Sequence, residues 1–260
     1  MANRLKDAVI GKLYRMYEKR LTKQVRRGPI PKHVAVIMDG NRRFAEEMGL
    51  GTFEGHQAGK DKLEEMLNWC MEFDIKVLTV FAFSTENLLR DQGEVNYLMD
   101  MFEENFKNLA EDPRVHKYKI RVRGIGQRLM LPERIQKAIE YAEIKTKEYD
   151  RYFFNLAIAY GGREEILHAI KKIAERVKKG EMKIDDISED TFSSMLYTKD
   201  LPDPDLILRT SGEERISNFL LWQLAYSEFY FTDVYWPGLR KIDFLRAIRS
   251  YQGRIRRYGA

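Results

Sequence analysis

The sequence predicts a single α/β domain with a mostly parallel, six-stranded central sheet and helices on both faces. Short apolar runs alternate about six times with stretches of helical periodicity. No internal repeat and no domain-scale linker interrupts this alternation. At 260 residues the chain is long enough to build one large domain around a sizeable core.

Six apolar segments are predicted as strands. The first, residues 34–38, is rich in β-branched residues and stops at the turn Asp39-Gly40-Asn41, as expected of a strand buried on both faces. The next four also end in polar residues or glycine, which favour turns. The later predicted strands are residues 75–83, 118–125, 152–159, 206–208 and 229–236.

Apolar residues recur at helical spacing between the strands. Ile166, Ile170, Ile173 and Val177 are one example, and Gly180 ends that helix. A helix is also expected to begin near Arg42. The other predicted helices are residues 57–73, 94–109, 133–149, about 189–196, 217–225 and 241–256.

Residues 1–28 are predicted to form a basic amphipathic helix in front of the domain at 29–260. This segment holds nine Lys or Arg against Asp7 and Glu18. Such a helix fits either packing against the body of the protein or contact with a membrane surface. Gly28-Pro29 ends it. Its predicted apolar face comprises Leu5, Val9, Ile10, Leu13, Met16, Tyr17 and Leu21.

Polar residues that follow the predicted strands indicate a functional site. Because carboxyl ends of parallel strands meet at one edge, and ligands bind there in open sheets, these residues are expected to converge. Asp39, free N–H groups at a helix start, Arg42 and Arg43 together suit a phosphorylated ligand with a divalent cation. A plain strand-to-helix turn with solvated arginines is the alternative. The residues after the strands are Asp39, Ser84, Asn87, Gly126, Arg163 and Arg209.

A second stretch places Arg209 and Arg215 around a turn before the predicted helix at Ser217, which would cap that helix or bind phosphate. Asp39 and Glu228 are the oxygen ligands proposed for Mg²⁺. The helices at 57–73 and 94–109 are rich in Leu, Met and Phe. They fit ordinary core packing or the wall of an apolar tunnel.

Composition excludes several classes of protein. A single cysteine, Cys70, rules out disulfides within the chain, and four scattered histidines form no zinc pattern. No apolar run approaches the ~20 residues of a membrane span. No P-loop, nucleophile elbow or nucleic-acid-binding motif occurs. The expected location is the cytoplasm, with or without association to a membrane.

The ordered motifs resemble those of cis-prenyltransferases of the undecaprenyl diphosphate synthase family, in the form of the archaeal and actinobacterial branch. The similarity runs from about residue 30 to the C-terminus. The motifs that carry it are His33 to Arg43, Ser84-Thr85-Glu86-Asn87, Tyr160 to Arg163, Arg209 through Trp222, Phe231-Thr232-Asp233 and Trp236-Pro237.

The resemblance implies sequential condensation of isopentenyl diphosphate with farnesyl or geranylgeranyl diphosphate. The product would be a long-chain polyprenyl diphosphate, the precursor of a glycosyl carrier lipid. Asp39 and Asn87 would be catalytic, with Asp39 and Glu228 on Mg²⁺. The implied substrate-binding residues are Gly40, Asn41, Arg42, Arg43, Phe44, His56, Ser84, Thr85, Glu86, Arg90, Arg209, Arg215, Ser217 and Arg257.

The resemblance also implies a homodimer in which Arg257, in Arg257-Tyr258-Gly259, reaches the partner's site. Three positions depart from the common pattern: Arg42, Phe44 and Thr52, where many or some members have Gly, Trp and Arg. Two alternatives remain. One is a non-catalytic partner subunit of a heteromeric prenyltransferase, and the other is a phosphate- or RNA-binding protein.

Overall fold

The computed structural model describes residues 2–254, with side chains from residue 11 onward. Its centre is a six-stranded sheet in which every neighbouring pair is parallel, in the order β3-β4-β2-β1-β5-β6. The predicted α/β architecture is therefore confirmed. The strands are β1 His33–Ile37, β2 Val77–Ser84, β3 Ile120–Ile125, β4 Tyr152–Tyr160, β5 Leu206–Arg209 and β6 Glu228–Phe231.

Helices connect the strands and cover the sheet. The first two helices after β1 follow each other closely and, with the helix after β2, surround the carboxyl end of the sheet. They are α1 Ala2–Val25, α2 Asn41–Glu47, α3 Thr52–Glu72, α4 Gln92–Glu111, α5 Pro113–Tyr118, α6 Glu133–Thr146, α7 Gly162–Lys178, α8 Glu189–Ser193 and α9 Lys241–Gly253. No helix within residues 2–254 is both long and apolar enough to cross a bilayer.

The two faces of β1 contact different cores, because successive side chains of a strand point in opposite directions. Val34 and Val36 belong to the larger cluster, which α1, α3, α4, α6 and α9 help to build. Ala35 and Ile37 belong to a smaller cluster with Phe219. This second cluster lies under residues 216–224, which have no regular helix.

The predicted helix at 217–225 is wrong. Ser217, Asn218 and Leu220 have φ values of 49°, 63° and 44°, which a right-handed helix does not allow. Tertiary contacts explain this backbone: the Phe219 ring stacks on Phe81 with centroids 4.6 Å apart. Asn218 accepts hydrogen bonds from the first two N–H groups of α7, so it caps that helix from a distance.

The N-terminal helix also differs from its predicted form. Leu21 and Val25 are buried in the core, whereas Leu13 and Met16 are each 60% exposed. Because Leu13, Tyr17 and Leu21 follow one another at spacings of four residues, they share one side of the helix, which is buried near its C-terminal end and exposed further toward the N-terminus. Leu5, Val9 and Ile10 belong to the part of α1 whose side chains lie outside the described residues.

Candidate active site

A cavity of 690 Å³ opens at the carboxyl ends of β1, β2 and β5. This is the edge at which the sequence predicted a site, since parallel strands deliver their following turns to one side. Most of the predicted site residues line it. They are Asp39, Gly40, Asn41, Arg42, Arg43, His56, Ser84, Asn87, Arg90, Arg209 and Ser217.

Asp39 is held by its backbone and presents its carboxylate to the cavity. Its N–H donates to the Thr210 hydroxyl at 3.0 Å, and its carbonyl accepts from that hydroxyl at 2.7 Å and from the Trp236 N–H at 3.0 Å. The carboxylate lies between two guanidinium groups. Oδ1 accepts from Arg43 at 3.1 Å and Oδ2 from Arg209 at 2.8 Å. The side chain of Asp39 stays 28% exposed, so a ligand can still reach it.

Gly40 makes the sharp turn from β1 into α2. Its φ of 102° belongs to the left-handed region that favours glycine. A Cβ at this position would lie 2.7 Å from the Tyr235 ring and 3.0 Å from Ser211 Cβ, so a larger residue does not fit. No side chain caps α2, and its first N–H groups are left for a ligand at the cavity.

Arg209 is a buried cation that ends β5, and its side chain is only 3% exposed. Nη1 donates to Ser217 Oγ at 2.8 Å and to the carbonyl of Arg215, while Nη2 donates to Asp39. Ser217 is thus an acceptor for Arg209 rather than a helix cap. Nε is buried and has no partner among the described residues. An unpaired buried donor beside a cavity is suited to an incoming anion.

Arg215 does not share this position. Its side chain is 64% exposed, pairs with Glu213 and does not line the cavity. Arg43 also contacts Glu213, at 3.4 Å. The backbone of Arg215 supports Arg209, but the guanidinium group of Arg215 pairs with Glu213 instead of joining that of Arg209.

Glu94 is a site residue that sequence reasoning missed. It lies in the first turn of α4, is 7% exposed and contacts three basic groups. Oε1 accepts from Arg90 at 3.0 Å and lies 3.0 Å from His56 Nε2, and Oε2 lies 3.6 Å from Arg42. The sequence contained a signal for the burial of Glu94, because this residue precedes the apolar Leu98 by four positions and so lies on the same helical face.

Burial affects the two inner partners of Glu94. Desolvation lowers the pKa of His56, against the opposing effect of the Glu94 carboxylate. Desolvation likewise lowers the pKa of Arg90, although Glu94 favours its charged form. Glu94 therefore positions His56, Arg90 and Arg42 around one side of the cavity.

Ser84 and Asn87 form reciprocal hydrogen bonds at the end of β2. The Ser84 N–H donates to Asn87 Oδ1 at 2.9 Å, and the Asn87 N–H donates to Ser84 Oγ at 3.3 Å. This reciprocal cap starts a short 3₁₀ turn and fixes both side chains at the cavity wall. Thr85 and Glu86 do not line the cavity, and Glu86 accepts a hydrogen bond from Asn218 instead.

The chain matches known proteins over nearly its whole length. Residues 37–259 match the family model described as "Putative undecaprenyl diphosphate synthase". The chain belongs to this family of cis-prenyltransferases. A geranylgeranyl-diphosphate-specific tritrans,polycis-undecaprenyl-diphosphate synthase from Methanopyrus kandleri is 56% identical over 247 residues, which cover 95% of this chain and 91% of that protein. Its counterpart from Methanocaldococcus jannaschii is 53% identical over 247 residues, covering 94% and 88%.

Solved structures agree with the assignment to this family. Lavandulyl diphosphate synthase from Lavandula x intermedia, in complex with dimethylallyl diphosphate, is 40% identical with a TM-score of 0.84 and covers 89% of this chain and 99% of its own. A probable undecaprenyl diphosphate synthase from Campylobacter jejuni is 35% identical with a TM-score of 0.72, covering 89% and 100%. This cis-prenyltransferase is thus an enzyme that condenses isopentenyl diphosphate with an allylic diphosphate.

The cavity of the cis-prenyltransferase has an apolar continuation between α3 and α4. A second cavity of 110 Å³ is lined by side chains such as Leu67, Met71 and Leu109, and both cavities share four lining residues. This second cavity leads away from the charged end. The shared residues are Lys60, Leu63, Asn105 and Leu156.

Phe44 and Glu228, two other predicted site residues, do not line the cavity. Arg257 lies outside the described residues. Glu228 starts β6 opposite Leu206, whereas Asp39 follows the carboxyl end of β1. The strands of a parallel sheet all start at one edge and end at the other. Along β5 alone, these two edges are separated by three residues, or roughly 10 Å. Within one chain Glu228 thus lies apart from Asp39 and pairs with Arg254 at 2.6 Å, and its role as a second magnesium ligand stays a prediction.

Proposed function

We propose that the enzyme uses geranylgeranyl diphosphate as its allylic starter and extends it to an undecaprenyl diphosphate with three trans bonds followed by cis bonds. The names of the relatives at 56% and 53% identity support this choice of starter. The sequence leaves the choice between farnesyl and geranylgeranyl diphosphate open, and on these names we favour the C20 substrate.

One observation about the site supports the reaction most directly. The same cavity carries a carboxylate between two guanidinium groups at one end and continues into an apolar cleft at the other. Diphosphates would bind at the charged end, while the growing chain would extend into the cleft. Guanidinium groups fixed before the reaction stabilise the charge of a departing diphosphate, and holding both substrates aligned supplies the second contribution to the rate.

We assign the two diphosphates to two sides of Asp39. The allylic diphosphate would contact the α2 N–H groups with Gly40 and Asn41, together with Arg42, Arg43, His56 and Arg90. Isopentenyl diphosphate would contact Arg209 and Ser217, with Arg215 turning in from its exposed position. Ser84 and Asn87 would lie beside the reacting carbons, and the catalytic domain would comprise residues 29–260.

The residues present suit a magnesium ion that is shared with the substrate. No group of three or more His, Cys, Asp or Glu side chains able to hold a metal occurs within the described chain. Mg²⁺ accepts one or two carboxylates and completes its shell with water and substrate phosphates, so Asp39 alone suffices. When bound, the ion would neutralise part of the diphosphate charge. Arg43 and Arg209, which now contact Asp39, would be free to turn toward phosphate oxygens.

Product analysis with different starters tests the proposal. Purified enzyme is incubated with Mg²⁺, labelled isopentenyl diphosphate and a C10, C15 or C20 allylic diphosphate. The chain length of the products is then determined by mass spectrometry. We expect the highest kcat/KM with the C20 starter and products of undecaprenyl length. A clear preference for C15 would contradict the proposed starter, and products confined to one condensation would contradict the proposed chain length.

We also propose a homodimer. β6 is the edge strand of the sheet, and Phe229, Tyr230 and Phe231 are only half-buried there, which leaves aromatic surface for a partner. Trp236 does not add to this surface, because it is 0% exposed and donates from its indole N–H to the Gly59 carbonyl. Light scattering should give twice 30.8 kDa. A monomer at micromolar concentration would contradict the dimer.

Within that dimer, Arg257 is proposed to reach the partner's isopentenyl diphosphate. Deleting residues 257–260 should lower activity severely while the dimer persists. Mixing this deletion with the Asp39→Ala variant should restore activity. In a mixed dimer, the Asp39→Ala subunit supplies an intact tail to the site of the deletion subunit, which still has its aspartate. No recovery after verified subunit exchange would show that the tail does not act across the interface.

The N-terminal helix is proposed to hold the cytoplasmic enzyme at an anionic membrane surface. The part of α1 before the buried Leu21 carries Leu13 and Met16, each 60% exposed, and Glu18 is the only acid among residues 11–25. Five cations surround these two apolar residues: Lys12, Arg15, Lys19, Arg20 and Lys23. Apolar side chains within a basic helical face match the interface of an anionic bilayer.

Vesicle flotation tests this contact. The wild type should float with vesicles that contain an anionic phospholipid and not with neutral ones, and Leu13→Ser/Met16→Ser should abolish flotation. Ile184→Ser is the matched control, since Ile184 is 72% exposed outside α1. Equal flotation of all three proteins would assign membrane contact to another surface.

A further inference from the structure

Lys60 lies where the charged cavity meets the apolar cleft. It is half-buried on α3 and lines both cavities. Leu63, one turn further along the helix, and Leu156 on β4 are the apolar residues at the same junction. Arg114 is also a cation of the second cavity, but it pairs with two carboxylates, whereas Lys60 has no such partner among the described residues.

Lys60 also differs from the other cations of the cavity. Arg43 and Arg209 contact Asp39, and Arg42 and Arg90 contact Glu94. Among the described residues that line the cavity, Lys60 is the one lysine or arginine without a carboxylate partner or a hydrogen bond. A partly buried charge without a partner is costly, so its ammonium group is expected to be stabilised by a ligand of opposite charge.

The direction of helical side chains places this charge at the diphosphate end. Lys60 follows His56 by one turn, so the two lie on one face of α3. Side chains in a helix lean toward the N-terminal turn, and the four-carbon stem of lysine spans about one pitch, roughly 5.4 Å. The stem can thus line the apolar entrance while the ammonium group reaches the level of His56, as lysines do at apolar boundaries.

A buried side-chain amide nearby is also unsatisfied; its oxygen only accepts hydrogen bonds, but a rotation of the amide by about 180° would present its NH₂ donors to a phosphate instead. Asn41 Oδ1 is buried and has no hydrogen-bond partner among the described residues. The Asn41 side chain packs against Gly59, where a Cβ would lie 2.5 Å from Oδ1. Gly59 immediately precedes Lys60, so the orphaned amide and the unpaired cation are close in the chain fold. Both belong to the side of the cavity assigned to the allylic diphosphate.

We propose that Lys60 is a further ligand of the allylic diphosphate, with its stem beneath the first allylic carbons and its ammonium group on a phosphate oxygen. This inference rests on the proposed position of the allylic substrate. It adds a contact from α3, one turn below His56, to those made by α2 and Arg90. The charge would fix where the diphosphate stops and the hydrocarbon begins.

The test compares Lys60→Met, which keeps the stem and removes the charge, with Lys60→Arg, which keeps the charge. The probes are a thiodiphosphate analogue of the C20 substrate, bound in calorimetry with Mg²⁺, and the two KM values. For Lys60→Met we expect the Kd of the analogue and the allylic KM to rise about ten- to a hundredfold, the usual effect of losing a charged hydrogen bond. The KM for isopentenyl diphosphate should not change, and Lys60→Arg should stay within about threefold of the wild type.

Lys107→Met is the matched control, because it removes one positive charge from an exposed position of α4 that pairs with Glu103. It should leave all three constants unchanged. If Lys60→Met does not fold, as judged by thermal melting, Lys60→Gln replaces it. An unchanged Kd in a folded variant overturns the inference, and so does an equal loss in Lys60→Arg. A shift in product length without a change in Kd would also overturn it, because Lys60 would then be only a wall residue. Failure of the wild type to bind the analogue would instead refute the proposed substrate.

Discussion

The two ends of the sheet bury polar groups in different ways. At the amino end, His33 Nδ1 donates to the Pro202 carbonyl at 2.7 Å, the Thr79 hydroxyl donates to His33 Nε2 at 2.8 Å, and Asn155 donates to Thr79 at 2.9 Å. These three side chains are fully buried and neutral. At the carboxyl end, Asp39 and its arginine partners are charged and face an open cavity.

This difference separates a structural network from a binding site. The amino-end chain uses polar atoms to join β1, β2 and β4 and has no access to solvent. Each end leaves a buried polar atom without a partner among the described residues, Asn155 Oδ1 at the amino end and Arg209 Nε at the carboxyl end. Only at the carboxyl end is such an atom a donor beside exposed charges and an open cavity. Polar residues at a strand end therefore indicate function only where charge, access and unused donors occur together.

Replacing Asp39 should give the largest effect and should act on activity alone. Asp39→Ala removes the carboxylate at the centre of the charged end, so kcat should fall about a hundred- to a thousandfold, as for the loss of a main electrostatic group. The fold should persist, because the side chain faces the cavity. Turnover and circular dichroism measure the two effects. Asp61→Ala, at an exposed position of α3, is the control. Residual activity above about a tenth would contradict the role of Asp39.

The amino end should affect stability and its dependence on pH. Desolvation lowers the pKa of His33 to about 4, below the 6.5 of the unfolded chain. Between these values the unfolded state binds more protons, so stability falls as the pH drops from 6.5 to 4. At 1.36 kcal/mol per pKa unit the loss approaches roughly 3 kcal/mol. Above pH 6.5 the contribution is fully present.

Denaturant unfolding of the wild type and His33→Gln at several pH values between 4 and 7.5 measures the contribution of His33 to the free energy of unfolding. The free energy of unfolding of the wild type should rise more steeply with pH over 4 to 6.5 than that of the variant. Both proteins should have similar kcat at neutral pH where the variant is folded, because His33 lies at the opposite edge from the cavity. Parallel stability curves would show that His33 is not buried neutral.

The smallest effect is expected at Glu94, which combines features of both ends because it is buried and charged. Glu94→Gln removes the charge that holds His56, Arg90 and Arg42. The KM for the allylic substrate should therefore rise about tenfold, while the KM for isopentenyl diphosphate stays constant. Steady-state kinetics with Glu104→Gln as the exposed control on α4 gives the comparison. An increase in the other KM would place Glu94 on the isopentenyl side.

The sequence predicted most of the fold because each segment carried its own periodicity. The predicted ends of β1 and β5 are each within one residue of the observed ones, and α7 ends before Gly180 as expected. Parallel topology then brings Asp39, Asn87 and Arg209 to one edge. The cysteine count, the absence of metal-binding spacings and the ordered motifs restricted the class of protein before any contact was known.

Only the tertiary structure decided which residues meet. Residues 217–225 are rich in helix-forming leucine, yet burial of Phe219 against Phe81 and the capping of α7 by Asn218 outweigh that local preference of a few tenths of a kcal/mol per residue. Opposite strand edges separated Glu228 from Asp39. Glu94 joined the site because α4 packs beside α3, and the junction that exposes Lys60 to both cavities exists only between packed elements. Sequence patterns record local preference, whereas contacts between distant segments depend on packing that no single segment contains.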